Sequence, residues 1–220
     1  MAFIGKKDIP LTYMWLLSKL VGNGQTVLDL GCGDGALTRS IYKKGWEITG
    51  VDIYKKSLDQ AKKREVYKYL IKGDIEKVVQ DLVKRRKKYD VVLFSQVIEH
   101  ISKKKGERVL DLIEKLAKRR ILVGTPNGFM VQPEVFIRGN PHQHHHSGWV
   151  VEDFLKRGYK VLGVGVWFIW SETGWGRTQN MLPYFLITIF AYFLAPVAYI
   201  FPKIAAGILA IKDKPAAHLK

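Results

Sequence analysis

Three short runs hold the residue types that could do chemistry. "VLDLGCGDG" at 27–35 places Gly31, Gly33 and Gly35, with Cys32 between them, just after the acidic Asp29. "SQVIEH" at 95–100 ends in Glu99 and His100, and "NPHQHHHSGW" at 140–149 packs His142, His144, His145 and His146 into five positions. A glycine-rich turn lets the backbone approach a ligand where a Cβ would collide, which suits a nucleotide-like molecule. The spacing is G-x-G-x-G, and the anion at Asp29 disfavours a pyrophosphate while favouring a ligand that is positive at that point. Histidine is the commonest metal ligand and the side chain readiest to move protons near neutral pH.

The elements that must position these runs are legible from 26 to about 125 as an alternation of apolar and charged segments. "TVLDL", "EITGVD", "YKYLIKGD", "YDVVLFS" and "RILVGT" read as strands, and "ALTRSIYKKG", "YKKSLDQAKKREV", "IEKVVQDLVKRR" and "KGERVLDLIEKLAK" as amphipathic helices. That order predicts an α/β fold with a parallel sheet covered on both faces. Residues 8–21 read as an extra helix that could lie over the sheet edge. Asp52, with Ile53 beside it, ends the second strand, where a carboxylate can accept from both hydroxyls of a ribose. Asp74 ends the third and could accept from an exocyclic amine, with Ile75 against the base. Ser95 and Gln96 end the fourth. Ligands of open α/β sheets gather at carboxyl ends, so these residues converge on one crevice.

Past residue 125, "VVEDFLKRG" reads as a short helix and "YKVLGVGVWFIW" as an apolar strand. A polar link then leads into Met181–Pro202, 22 residues without a charge, and "AAGILAIKDK" ends like a strand.

"VLDLGCGDG", "GVDIY", "KGDIE" and "YDVVLFSQVIEHI", in that order and spacing, resemble the successive motifs of class I S-adenosylmethionine-dependent methyltransferases. The resemblance implies a doubly wound, Rossmann-like, seven-stranded and mostly parallel sheet with an antiparallel last strand. It implies S-adenosyl-L-methionine as cofactor, with Asp29 and the glycine loop near its methionine moiety, Asp52 on the ribose, and Asp74 with Ile75 at the adenine. The final hairpin would be "YKVLGVGV" and "GILAIKD". A closer resemblance, to a small branch of these enzymes with an "IEH" element and an "HxSGW" element, singles out His145, four places before Trp149. His100 and His145 would then stand above the transferred methyl as proton acceptors or orienting groups, with Glu99 fixing a tautomer. The small-RNA 2′-O-methyltransferases are similar at Glu99, His100 and His145, where they hold a divalent ion. Gln96 replaces their first glutamate, and a neutral amide is the poorer ligand for a hard cation, so no functional metal is expected.

A chain of 220 residues fits one domain: a helical cap at 1–25, a core at 26–170, an apolar insertion at 171–203, and the final strand and tail at 204–220. No secretory pattern opens it and a single cysteine cannot form an internal disulfide, so a cytoplasmic location is expected. The net charge is +16, and residues 1–120 hold 27 basic against 15 acidic side chains, that is +12. Such a balance attracts nucleic acid or an anionic membrane face, although "KRRKK" and "KKK" read as ordinary solvated surface. The expected acceptor is an amphiphilic or lipid-linked small molecule, with membrane-surface contact through 181–202. RNA is the second choice, and a cofactor-binding regulator without turnover is the alternative of another class. The oligomeric state is open.

Overall fold

In the computed structural model, residues 7–23, 25–132, 137, 139–171, 173–178 and 180–215 are described. The outer parts of the expected cap and tail, 1–6 and 216–220, lie outside them. Apolar runs flanked by charged helices bury both strand faces only as a covered sheet, and the chain forms one. Its elements are α1 (Tyr13–Val21), β1 (Thr26–Leu30), α2 (Ala36–Ile41), β2 (Glu47–Asp52), α3 (Lys55–Lys62), β3 (Tyr69–Lys72), α4 (Ile75–Lys84) and β4 (Tyr89–Ser95). They continue through α5 (Lys103–Leu116), β5 (Ala117–Pro126), α6 (Val151–Leu155), β6 (Lys160–Val166), α7 (Trp167–Trp170), α8 (Met181–Ile200) and β7 (Ala205–Asp213).

The strand order is β3, β2, β1, β4, β5, β7, β6. The first five strands pair in parallel, and β7 runs antiparallel to both β5 and β6. The order reverses between β1 and β4, and a crevice must open there at the carboxyl ends. Alternation along the strands splits the core. Leu28, Leu30, Val92 and Phe94 face α4, α5 and α6, while Val27, Val91 and Leu93 face α1 and α2.

Two local expectations change, and the helical form of the apolar insertion holds. The N-terminal helix is shorter than 8–21 and sits on a sheet face, where Tyr13 and Leu17 are fully buried, instead of over an edge. Thr12 ends it by accepting from the Trp15 N–H, an N-cap that explains the late start. β6 stops at Val166, and "WFIW" turns into α7, whose Ile169 packs under α8. The apolar insertion is one continuous 20-residue helix despite its prolines. Pro183 falls in the first turn, where its missing N–H costs nothing.

Candidate active site

The glycine loop is built by close packing as much as by freedom. Gly31, Gly33 and Gly35 all have positive φ, which a side chain disfavours. A Cβ on Gly31 would lie 2.3 Å from Val97 Cγ2, and one on Gly35 would lie 2.7 Å from Tyr67 Cε2. At Gly33 a Cβ would meet nothing within 4 Å, so this turn alone faces open space. Beneath it, Asp29 accepts from Thr38 Oγ1 at 2.6 Å and Tyr67 Oη at 2.8 Å. Burial raises its pKa to about 6, against the pull of those two donors and with a push from Asp52.

A cavity of about 320 Å³ opens at the carboxyl ends of β1 and β4. Of the residues expected at the site, Gly31, Gly33, Asp52, Ile53, Asp74, Ile75, Gln96 and His100 line it. Asp29, Cys32, Gly35, Ser95, Glu99 and His145 do not line it. Asp52 accepts from the Gly33 and Tyr54 N–H groups, each at 2.8 Å, and so ties β2 to the loop while its oxygens keep lone pairs for a ligand. Asp74 caps α4 and pairs with Lys105, which also lines the cavity. Burial pushes the Asp74 pKa up, but the Lys105 ammonium and backbone N–H groups outweigh it and hold the carboxyl below its ordinary value. Ser95 turns away to bond the Tyr13 hydroxyl.

The "IEH" and "HSGW" elements are mates. His146 and Ser147 donate their N–H groups to the Glu99 carbonyl at 2.7 and 3.1 Å. The Trp149 indole donates to Ser147 Oγ, which donates on to the Ile101 carbonyl. Trp149 is 1% exposed, seated against Gly106 of α5, with Lys103 Nζ 3.8 Å from its ring centroid. Of the "KKK" run, then, Lys103 covers the tryptophan and Lys105 reaches the cavity, contrary to the solvated-surface reading. "KRRKK" is exposed along its whole length, as expected.

This joint sets His100 against His145, with ring centroids 4.8 Å apart, edge to face. His100 Nδ1 faces the His144 carbonyl at 3.1 Å and His145 Nδ1 faces the Met130 carbonyl. A carbonyl only accepts, so each Nδ1 donates and each Nε2 keeps its lone pair. Burial and the neighbouring His145 hold the His100 pKa down at about 4, and burial lowers that of His145 as well. Glu99 is 1% exposed, and among the described residues neither its oxygens nor His145 Nε2 makes a hydrogen bond of normal geometry. Burial pushes Glu99 up to about 8, offset in part by its own backbone and the Thr125 hydroxyl. Ligand atoms of Glu99, His100 and His145 all lie within 4.8 Å of one another, a set that could hold a proton or a divalent ion. Sequence reasoning missed His142, Gln143 and His146, which line the cavity. Only the loop's return across Tyr54, whose ring lies 6.5 Å from that of His142, puts them there.

A sheet of this order with one antiparallel strand, a glycine turn after β1 and an acidic residue ending β2 define the class I S-adenosylmethionine-dependent methyltransferase fold. Residues 27–120 match the family described as the methyltransferase domain, and the chain carries a domain of that family, whose methyl donor is S-adenosylmethionine. A ubiquinone biosynthesis O-methyltransferase of Vibrio vulnificus is 34% identical over 94 residues, 42% of this chain and 40% of the relative. The chain thus spans less than half the length of this curated relative. A SAM-dependent methyltransferase from Archaeoglobus fulgidus shares the fold across 97% of this chain and 96% of its own, with a TM-score of 0.61 at 18% identity. A small RNA methyltransferase does so across 97% of this chain and 27% of its own, with a TM-score of 0.55 at 23% identity.

Proposed function

We propose that the protein transfers the sulfonium methyl group of S-adenosylmethionine to a hydroxyl of an amphiphilic small molecule. The observation that carries the reading is the pair of neutral imidazoles, His100 and His145, beside the cavity that Gly33, Asp52 and Asp74 line. The bound cofactor supplies an activated methyl and leaves as S-adenosylhomocysteine. The residues here align the acceptor oxygen and take its proton as the new O–CH₃ bond replaces the S–CH₃ bond. His100 Nε2 receives that proton, and His145 orients the pair. A relative named for ubiquinone biosynthesis supports an amphiphilic acceptor, as does the uncharged 181–202 segment.

A second reading has the divalent ion at Glu99, His100 and His145 and an RNA hydroxyl as acceptor, favoured by that convergent donor set and the +16 charge. Incubating the protein with labelled cofactor and cell extract separates the two. Label that follows organic solvent supports the first reading; nuclease-sensitive label that chelators suppress supports the second. Cofactor binding without any label transfer would mean a regulator without turnover.

A further inference from the structure

The apolar helix α8 has 20 residues, and its most apolar 18-residue window has a mean hydropathy of 1.9 with only 11% of it buried. A single stripe, Ile187, Ala191, Leu194 and Ala198, recurs at helical spacing and packs on Val166, Ile169 and Ala205. The helix lies so close to β6 that a Cβ on Gly163 would sit 2.1 Å from the Ala198 carbonyl oxygen. Away from that stripe the surface is almost wholly apolar: Met181 is 88% exposed, Phe193 74% and Leu182 70%. An ordinary surface helix turns a polar face to water, and α8 has none to turn.

The packing argues against a bilayer crossing, because the protein occupies one flank of the helix from Ile187 to Ala198. The insertion that carries α8 also leaves and rejoins the sheet at the same edge. β6 ends and β7 begins at the paired residues Val166 and Ala205, and the Asn127 side-chain amide pins the return by donating to the Pro202 and Ala205 carbonyls. That edge is the carboxyl edge, where the cofactor cavity opens. Next to α8, Ile9 and Leu11 join Phe185, Ile189 and Tyr192 around an apolar groove of about 410 Å³, which widens the same surface. The uncharged run 178–202 is bracketed in sequence by Arg177 and Lys203, in a chain of net charge +16. A dimer would cover one stripe; an apolar arc this wide, in a chain with a net charge of +16, matches an anionic lipid surface.

We propose that α8 is an in-plane anchor that seats the protein on one leaflet of an anionic bilayer, with the cofactor crevice at the membrane surface. The docking stands on α8 alone; that it delivers the acceptor rests on the amphiphilic reading above. The whole protein is floated with phosphatidylglycerol vesicles and with phosphatidylcholine vesicles, beside a Leu186→Glu/Phe193→Glu variant whose changes fall on the exposed side of α8. The wild type should float with the anionic vesicles, the variant should lose about tenfold or more of that binding, and both should bind S-adenosylmethionine equally. Single Asn180→Cys and Lys203→Cys variants, treated with an impermeant maleimide outside the vesicles, should both react, because Cys32 is buried and both helix ends stay on the outer side. Failure of the wild type to float while it binds cofactor would overturn the proposal. So would protection of one helix end, which means a span, or a soluble dimer that the Glu variant dissociates, which means a second copy covers α8. Flotation needs no acceptor, so a failed transfer assay leaves this result standing on its own.

Discussion

At Asp29 the fold holds a carboxylate away from water, and the consequence is a pH slope. Its folded pKa, raised to about 6, lies above its ordinary value, so the folded state holds a proton that the unfolded chain has already lost. The associated stability is present at low pH and is lost as pH rises from about 4 through about 6. Asp29→Asn keeps an acceptor for Thr38 and Tyr67 but carries no charge. Melting curves should show the variant gaining on the wild type by roughly a few degrees across that window and staying level above it. For chemistry the residue to test is His100, since its Nε2 is unprotonated at neutral pH and it lines the cavity. His100→Ala should lower kcat by about a hundredfold and leave cofactor affinity unchanged in calorimetry. His145→Ala should likewise impair turnover and spare cofactor binding; a loss from His142→Ala alone would show that the wrong histidine was chosen. The positions of Asp52 and Asp74 at the cavity were legible because a strand end needs no partner to be recognised. That the Met130 carbonyl, fifteen residues away, holds His145 Nδ1 was not.

At the scale of elements, the loop from Ser147 to Trp149 and the helix α5 behave as one unit. Gly106 is the contact point: a Cβ there would lie 2.4 Å from Trp149 Cζ2 and 3.1 Å from Ile98 Cγ1. Gly106→Ala should therefore destabilise the protein by about 1–3 kcal/mol in urea titration, although alanine is the better helix former. Because the displaced Trp149 carries the His145 loop with it, methyl transfer should fall further than cofactor binding. The motif "HSGW" could be noticed in the sequence, and its partner "IEH" as well. The joint between them was hidden, because hydrogen bonds to the Glu99 carbonyl and a glycine gap in α5 leave no trace in periodicity.

For the whole molecule, the sheet does not depend on α8. β6 and β7 remain paired up to Val166 and Ala205, so a short Gly-Ser link replacing residues 167–204 can close between those paired ends. Such a variant should bind S-adenosylmethionine within about threefold of the wild type by calorimetry and lose vesicle binding. The amino-acid order by itself determined the α/β class, the parallel run of strands, the glycine turn and the acidic strand ends, because each is written in local periodicity and in residues that only certain backbone shapes tolerate. The tertiary structure alone decided that His142 and His146 line the cavity, that Lys105 joins them while Lys103 covers Trp149, and that the uncharged helix packs along β6. Those outcomes come from contacts between segments far apart in the chain, and an apolar helix looks the same in sequence whether its neighbour is lipid or protein.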